Sequence, residues 1–166
     1  QAPERTRGVV LVDGSQFAPA MGPVLRQVFA QADGFATLVA GMFRDMCTPK
    51  TAPEAVALIE QRVSRLPRAV GEKMLLDMQR YDVTRYEASL GALKVPVLAL
   101  QTTYSNEKRE RRTMAQGQTS PYLDMLRAHI PGVRVEIIED TGHFPQLDEP
   151  ARTNASLAAF IGSLAK

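Results

Sequence analysis

Two histidines stand in the 166 residues, His129 and His143, and one of them is placed where an imidazole could do chemistry. His143 lies in Thr141-Gly142-His143-Phe144-Pro145, between an apolar run ending at Ile138 and the segment Asp148-Glu149-Pro150. An imidazole titrates near neutrality, so it can take a proton from a hydroxyl and return it to a leaving group. A loop at the carboxyl end of a parallel strand is where open α/β sheets carry their sites. Gly142 would let the backbone turn sharply there, so that the ring points into a cleft. The plainer alternative is a loop histidine bonded to its neighbours or to water. His129 falls at a helix end, where a cation is mildly favoured, and receives no chemical role.

Other chemistries find little support. Two separated histidines and the single Cys47 make neither a metal constellation nor a disulfide, and no glycine-rich phosphate loop is present, so no cofactor is expected. Cys47 reads as a buried small residue. One cysteine fits a reducing compartment, which tilts localisation toward the cytoplasm without fixing it. The net charge is +2 and the sequence pI about 8.9, spread without a basic stripe. Nucleic acid and anionic membranes are therefore not expected partners. The mixed-sign run Glu107-Lys108-Arg109-Glu110-Arg111-Arg112 reads as a solvated loop. No apolar run reaches the roughly 20 residues of a membrane span, and Gln1-Ala2-Pro3-Glu4-Arg5 has no apolar signal core.

The elements that must position His143 follow from hydrophobic patterning. Val9-Val10-Leu11-Val12 before Asp13-Gly14 reads as a buried parallel strand running into a turn. Between Pro23 and Tyr86 the spacing turns helical. Its stripes are Val24, Leu25, Val28, Phe29; Phe35, Leu38, Val39, Met42, Phe43, Met46; Val56, Ile59, Val63, Leu66; and Met74, Leu75, Met78. The methionines and Phe43 fit either a plain helical core or the lining of an acyl or aromatic pocket. Val95 to Leu100 is a second strand, Gln101 to Ser120 a long polar loop, and Tyr122 to His129 a helix. Val133 to Ile138 is a third strand. A final helix opens at Asp148-Glu149-Pro150, with Asp148 as its cap and Leu157, Phe160, Ile161 and Leu164 as its stripe. This order is α/β with a parallel sheet. Three strands would leave the first as an exposed edge, so something outside this sequence is expected to complete the sheet.

The segment Thr141-Gly142-His143-Phe144-Pro145-Gln146-Leu147-Asp148-Glu149-Pro150 resembles the catalytic-histidine loop of the α/β-hydrolases. Val9 to Gly14 is similar to that family's strand before its cap, and Leu93 to Leu100 to the strand after it. The resemblance spans roughly residues 7 to 164. It implies a C-terminal part of the hydrolase sheet, divided as core strand 1–20, helical cap 21–90 and remaining core 91–166. Implied with it are esterase-like Ser-His-Asp chemistry and a small ester as substrate. His143 would be the base. The aspartate usual after the second strand is missing near Ser105, and a family variant points to Asp13 as the acid, with Glu107 third. Asp13 could equally do no more than bond turn amides, as aspartate before glycine often does.

The resemblance implies a nucleophile in a G-x-S-x-G elbow upstream of the first strand. The nearest imitation, Glu87-Ala88-Ser89-Leu90-Gly91, has the wrong first residue and no preceding strand, so Ser89 is set aside. The nucleophile is thus expected from an N-terminal piece or companion chain. Lactonase, dehalogenase, epoxide hydrolase, C–C hydrolase and acyltransferase chemistries share the scaffold. A non-catalytic binding module, pairing through the exposed edge, is the reading from another class.

Overall fold

The computed structural model describes residues 3–108 and 110–164. Gln1, Ala2 and Arg109, which entered the readings of the chain start and the charged loop, lie outside them. The chain forms two compact units, one of residues 1–15 with 88–166 and one of residues 16–87.

The first unit is built on a parallel sheet of β1 (Val9–Val12), β2 (Val97–Gln101) and β5 (Arg134–Ile137), in the order β1-β2-β5. Val10 pairs with Leu98 and Ala99 with Val135. With a neighbour on each side, β2 is buried along its whole length. Leu98 and Leu100 share one face and pack with Phe160, flanked by Val10, Leu157 and Leu164. Burying a large apolar side chain stabilises by about 1.5–3 kcal/mol, so this cluster fixes the sheet against its helix. Edge strand β1 differs from the expectation of a strand covered on both faces. Its residues are half-buried, and Val12 is exposed.

Gln101 to Ser120 is not the irregular loop expected. It holds an antiparallel hairpin, β3 (Thr103–Ser105) with β4 (Arg111–Thr113). Three-residue polar strands give no alternating pattern to read. The turn is set instead by Asn106, whose Oδ1 accepts from the amides of Lys108 and Glu110 at 3.0 and 2.9 Å. A helix, α6 (Pro121–His129), starts at Ser120, whose hydroxyl accepts from the Leu123 amide. After β5 come the one-turn α7 (Pro145–Asp148) and the closing α8 (Pro150–Ser163). Asp148 is therefore not the cap of α8, because a helical turn already contains it. Ile161, expected in the α8 stripe, is 62% exposed; the buried positions are Thr153 and Phe160.

The second unit is helical: α1 (Met21–Phe29), α2 (Gly34–Met46), α3 (Pro53–Ser64) and α4 (Arg68–Thr84). The short α5 (Tyr86–Gly91) follows where the chain returns to the first unit. Leu25, Phe29, Phe35, Val39 and Leu75 form its core, with Met42 and Phe43 packed against them. Phe29 and Phe35 meet edge to face at 5.9 Å. Gly71 lets α4 approach, since a Cβ there would stand 2.1 Å from the Phe35 ring. Arg68 closes the end of α1 by donating to the carbonyls of Phe29 and Ala32, where a cation also suits the helix dipole. Met74 and Met78, expected inside, are exposed, because Leu75 is the residue of that stripe that α4 turns inward. The stripe of α3 is real but only half-buried.

Candidate active site

The ladder between β1 and β2 runs one bond past the strand, from the Asp13 amide to the Leu100 carbonyl at 2.7 Å. There the backbone of Asp13 turns left-handed, at φ 42°, a conformation that costs a non-glycine residue energy unless its surroundings hold it. What holds it is the side chain. Oδ1 accepts from the amides of Thr102 and Thr103 at 2.9 and 2.7 Å. Oδ2 accepts from the Thr103 hydroxyl at 2.6 Å and from Arg111 Nη1 at 3.2 Å. Gln101 reinforces the turn by donating to the Gly14 and Thr103 carbonyls. Gly14 itself lies so close to Tyr122 that a Cβ would meet its hydroxyl at 2.0 Å.

The fifth donor to the Asp13 carboxylate is His143. Its Nδ1 lies 2.8 Å from Asp13 Oδ2. The structure thus brings together the two expected site residues, which stand 130 positions apart in the chain. Asp13 also bonds backbone amides, but those of the β2 end and not of its own turn. Its side chain is fully buried, whereas that of His143 is 24% exposed. Burial pushes the Asp13 carboxyl upward. The bonds from His143, from the Thr103 hydroxyl and from the Thr102 and Thr103 amides outweigh it and hold the group below the usual carboxylate range. An ionised carboxylate can only accept, so Nδ1 must carry the proton, and Nε2 is left with the lone pair.

The loop that presents His143 is gripped on both sides. The Thr102 hydroxyl donates to the Gly142 carbonyl at 2.6 Å, and the Gly142 amide donates to Asp148 Oδ2 at 2.9 Å. Gly142, expected to let the backbone turn sharply, does not take a positive φ; in this loop Asp140 does, at φ 55°. Gly142 is held by its two backbone bonds. Phe144 stands edge-on to the imidazole, with ring centroids 5.1 Å apart.

Four residues of this network were not foreseen. Thr102 and Thr103 carry a faint signal, as two hydroxyls directly after a buried strand. Asp148, expected to cap α8, instead ends α7 and accepts from the histidine loop. Arg111 was hidden in a run read as solvated, and the hairpin turns it inward to 18% side-chain exposure. The other candidates are not part of the network. Glu107 is exposed in the hairpin turn, and Ser105 closes β3. Ser89 lies inside α5, not on a strand-to-helix turn. His129 bonds the Met125 carbonyl through Nδ1, and Cys47 is half-buried beside the Phe43 carbonyl. Among the described residues no three histidine, cysteine or acidic side chains gather as a metal site, and no helix is long and apolar enough to cross a membrane.

The sequence matches no family profile and no curated protein. Its structure does have counterparts. It superposes on a thermophilic esterase from Thermogutta terrifontis with a TM-score of 0.73 at 20% identity, covering 100% of this chain and 59% of the esterase. On a hydrolase from Pseudomonas aeruginosa the TM-score is 0.72 at 17% identity, with coverage of 98% and 58%. On the enol-lactonase from Burkholderia xenovorans it is 0.67 at 13% identity, with coverage of 96% and 57%. The chain therefore spans somewhat more than half the length of these proteins.

Proposed function

The chain has the fold of the C-terminal part of an α/β-hydrolase, and from that premise we propose that it supplies the histidine and the acid of a site hydrolysing carboxylic esters. The observation that carries the reading is the 2.8 Å contact between His143 Nδ1 and the buried Asp13 carboxylate. Asp13 fixes the ring and its tautomer, so that Nε2 is the base. Nε2 takes the proton of a serine hydroxyl as that oxygen attacks the ester carbonyl. The resulting imidazolium returns the proton to the departing alcohol. The acyl-enzyme is then cleared by water along the same path in reverse. Asp13 stays ionised throughout and stabilises the imidazolium. The serine and the amides that hold the oxyanion come from sequence beyond these 166 residues, in the same protein or in a companion chain that completes the sheet beside β1. Ester chemistry is favoured over the dehalogenase, epoxide hydrolase, C–C hydrolase and acyltransferase alternatives by the similarity to an esterase and an enol-lactonase.

The test is to isolate the native protein with an antibody to this chain, record its denaturing intact mass, and treat it with a fluorophosphonate probe. The expected result is a serine labelled in the polypeptide that contains this sequence or in one stoichiometric with it. Nitrophenyl-ester hydrolysis should fall roughly 10⁴-fold or more in His143→Ala. A single unlabelled species of 18.2 kDa without esterase activity would refute the proposal and leave the binding-module reading.

A further inference from the structure

The carboxylate oxygen that meets His143 is shared. Asp13 Oδ2 lies 2.8 Å from His143 Nδ1 and 3.2 Å from Arg111 Nη1, and Arg111 Nη1 also donates to the Thr103 hydroxyl at 2.5 Å. Arg111 comes from β4, so the hairpin β3–β4 delivers a permanent cation to the charge on which the imidazole depends. An arginine does not lose its proton in a protein, so this competition is present at every working pH.

We propose that Arg111 is a positioning residue: it divides the Asp13 charge between guanidinium and imidazole, and the hairpin thereby limits how strongly His143 holds a proton. The proposal rests on reading Asp13 and His143 as a working pair. The other charged or titratable groups on the elements around that pair include Asp148, Glu139, Tyr122 and Asp140. Asp148 of α7 accepts from the Gly142 amide, Glu139 after β5 accepts from the Gln116 amide, and Tyr122 of α6 stands against Gly14. Asp140 lies two residues before Gly142 in the same loop. Arg111 is the cation that bonds the Asp13 carboxylate among the described residues.

The sign follows from Coulomb's law. Removing a positive charge within about 6 Å of the ring, a bound set by the two contacts on Oδ2, leaves the carboxylate free to stabilise the imidazolium. A base that holds its proton more tightly returns it less readily to a leaving group, so the arginine keeps the pair poised for both steps.

The test is NMR titration of the histidine ring Cε1–H resonances in the whole protein, together with whatever completes the sheet, with His143→Gln identifying the His143 resonance. Arg111→Gln and Arg111→Met should each raise the His143 midpoint by about one pH unit, a tenfold gain in proton affinity. Arg111→Lys, which keeps the charge, should move it less than half as far. Asp13→Asn should lower it. If Asp13→Asn leaves the midpoint where it was, the pair is uncoupled and the functional reading itself fails. If Asp13→Asn lowers it but both neutral Arg111 variants leave it unchanged, the pair stands and the role of Arg111 is overturned. A shift for lysine as large as for glutamine overturns charge sharing. Loss of the folded spectrum in both neutral variants overturns it too, and makes Arg111 a folding residue.

Discussion

Asp13→Asn exchanges one oxygen of the most heavily bonded carboxylate described here for an NH₂ group. Five donors converge on Asp13, and its side chain is fully buried. Whichever way the amide is turned, its NH₂ faces donors. With Nδ2 in the place of Oδ1 it opposes the Thr102 and Thr103 amides, and in the place of Oδ2 it opposes His143, Arg111 and the Thr103 hydroxyl. Hydrogen bonds to a charged group contribute about 1.5–3 kcal/mol each, and breaking a buried charge network costs about 3–5 kcal/mol. A destabilisation of about 3–4 kcal/mol at neutral pH is therefore expected.

The pH dependence has a definite sign. The folded carboxyl is held below its ordinary value, so its contribution is complete above the unfolded value near 3.9 and disappears as pH falls through the folded one. Urea unfolding followed by circular dichroism should show a gap between wild type and Asp13→Asn that is present at about pH 7 and narrows as pH falls below about 4. A variant as stable as wild type at pH 7, or a gap that persists undiminished at about pH 2, would refute the account of this carboxylate.

Two further outcomes follow from a hydrogen bond in the histidine loop and a packing contact within the helical unit. Asp148→Ala removes the acceptor of the Gly142 amide; at about 1–2 kcal/mol for that bond, exchange of this amide with deuterium should quicken by roughly 5- to 30-fold, and unchanged exchange would detach Asp148 from the loop. Gly71→Ala places a methyl against the Phe35 ring. It should destabilise the helical unit by about 1–3 kcal/mol, read by denaturant unfolding with Phe29 and Phe35 ring resonances as reporters.

The sequence by itself determined the parallel α/β class, the helical insertion and the histidine loop. Each of these is local. A run such as Val97 to Leu100 is apolar because a central strand is covered on both faces, and the setting of His143 is complete within ten residues. It also pointed to Asp13, through a resemblance and a position at a strand end, while leaving open whether that aspartate served the histidine or only turn amides. The bonding partners of Asp13 are visible only in the tertiary structure. The register that sets Val12 beside Leu100 carries Asp13 to the amides of Thr102 and Thr103 and to a histidine 130 positions away. Arg111 was beyond reach of the sequence, because a three-residue polar strand leaves no periodic trace and a mixed-charge run looks solvated. Only the pairing of β3 with β4 turns Arg111 inward to the carboxylate. Periodicity reports which face of an element is buried. Which polar groups meet across elements is set by strand register and by turns, and those are properties of the folded chain.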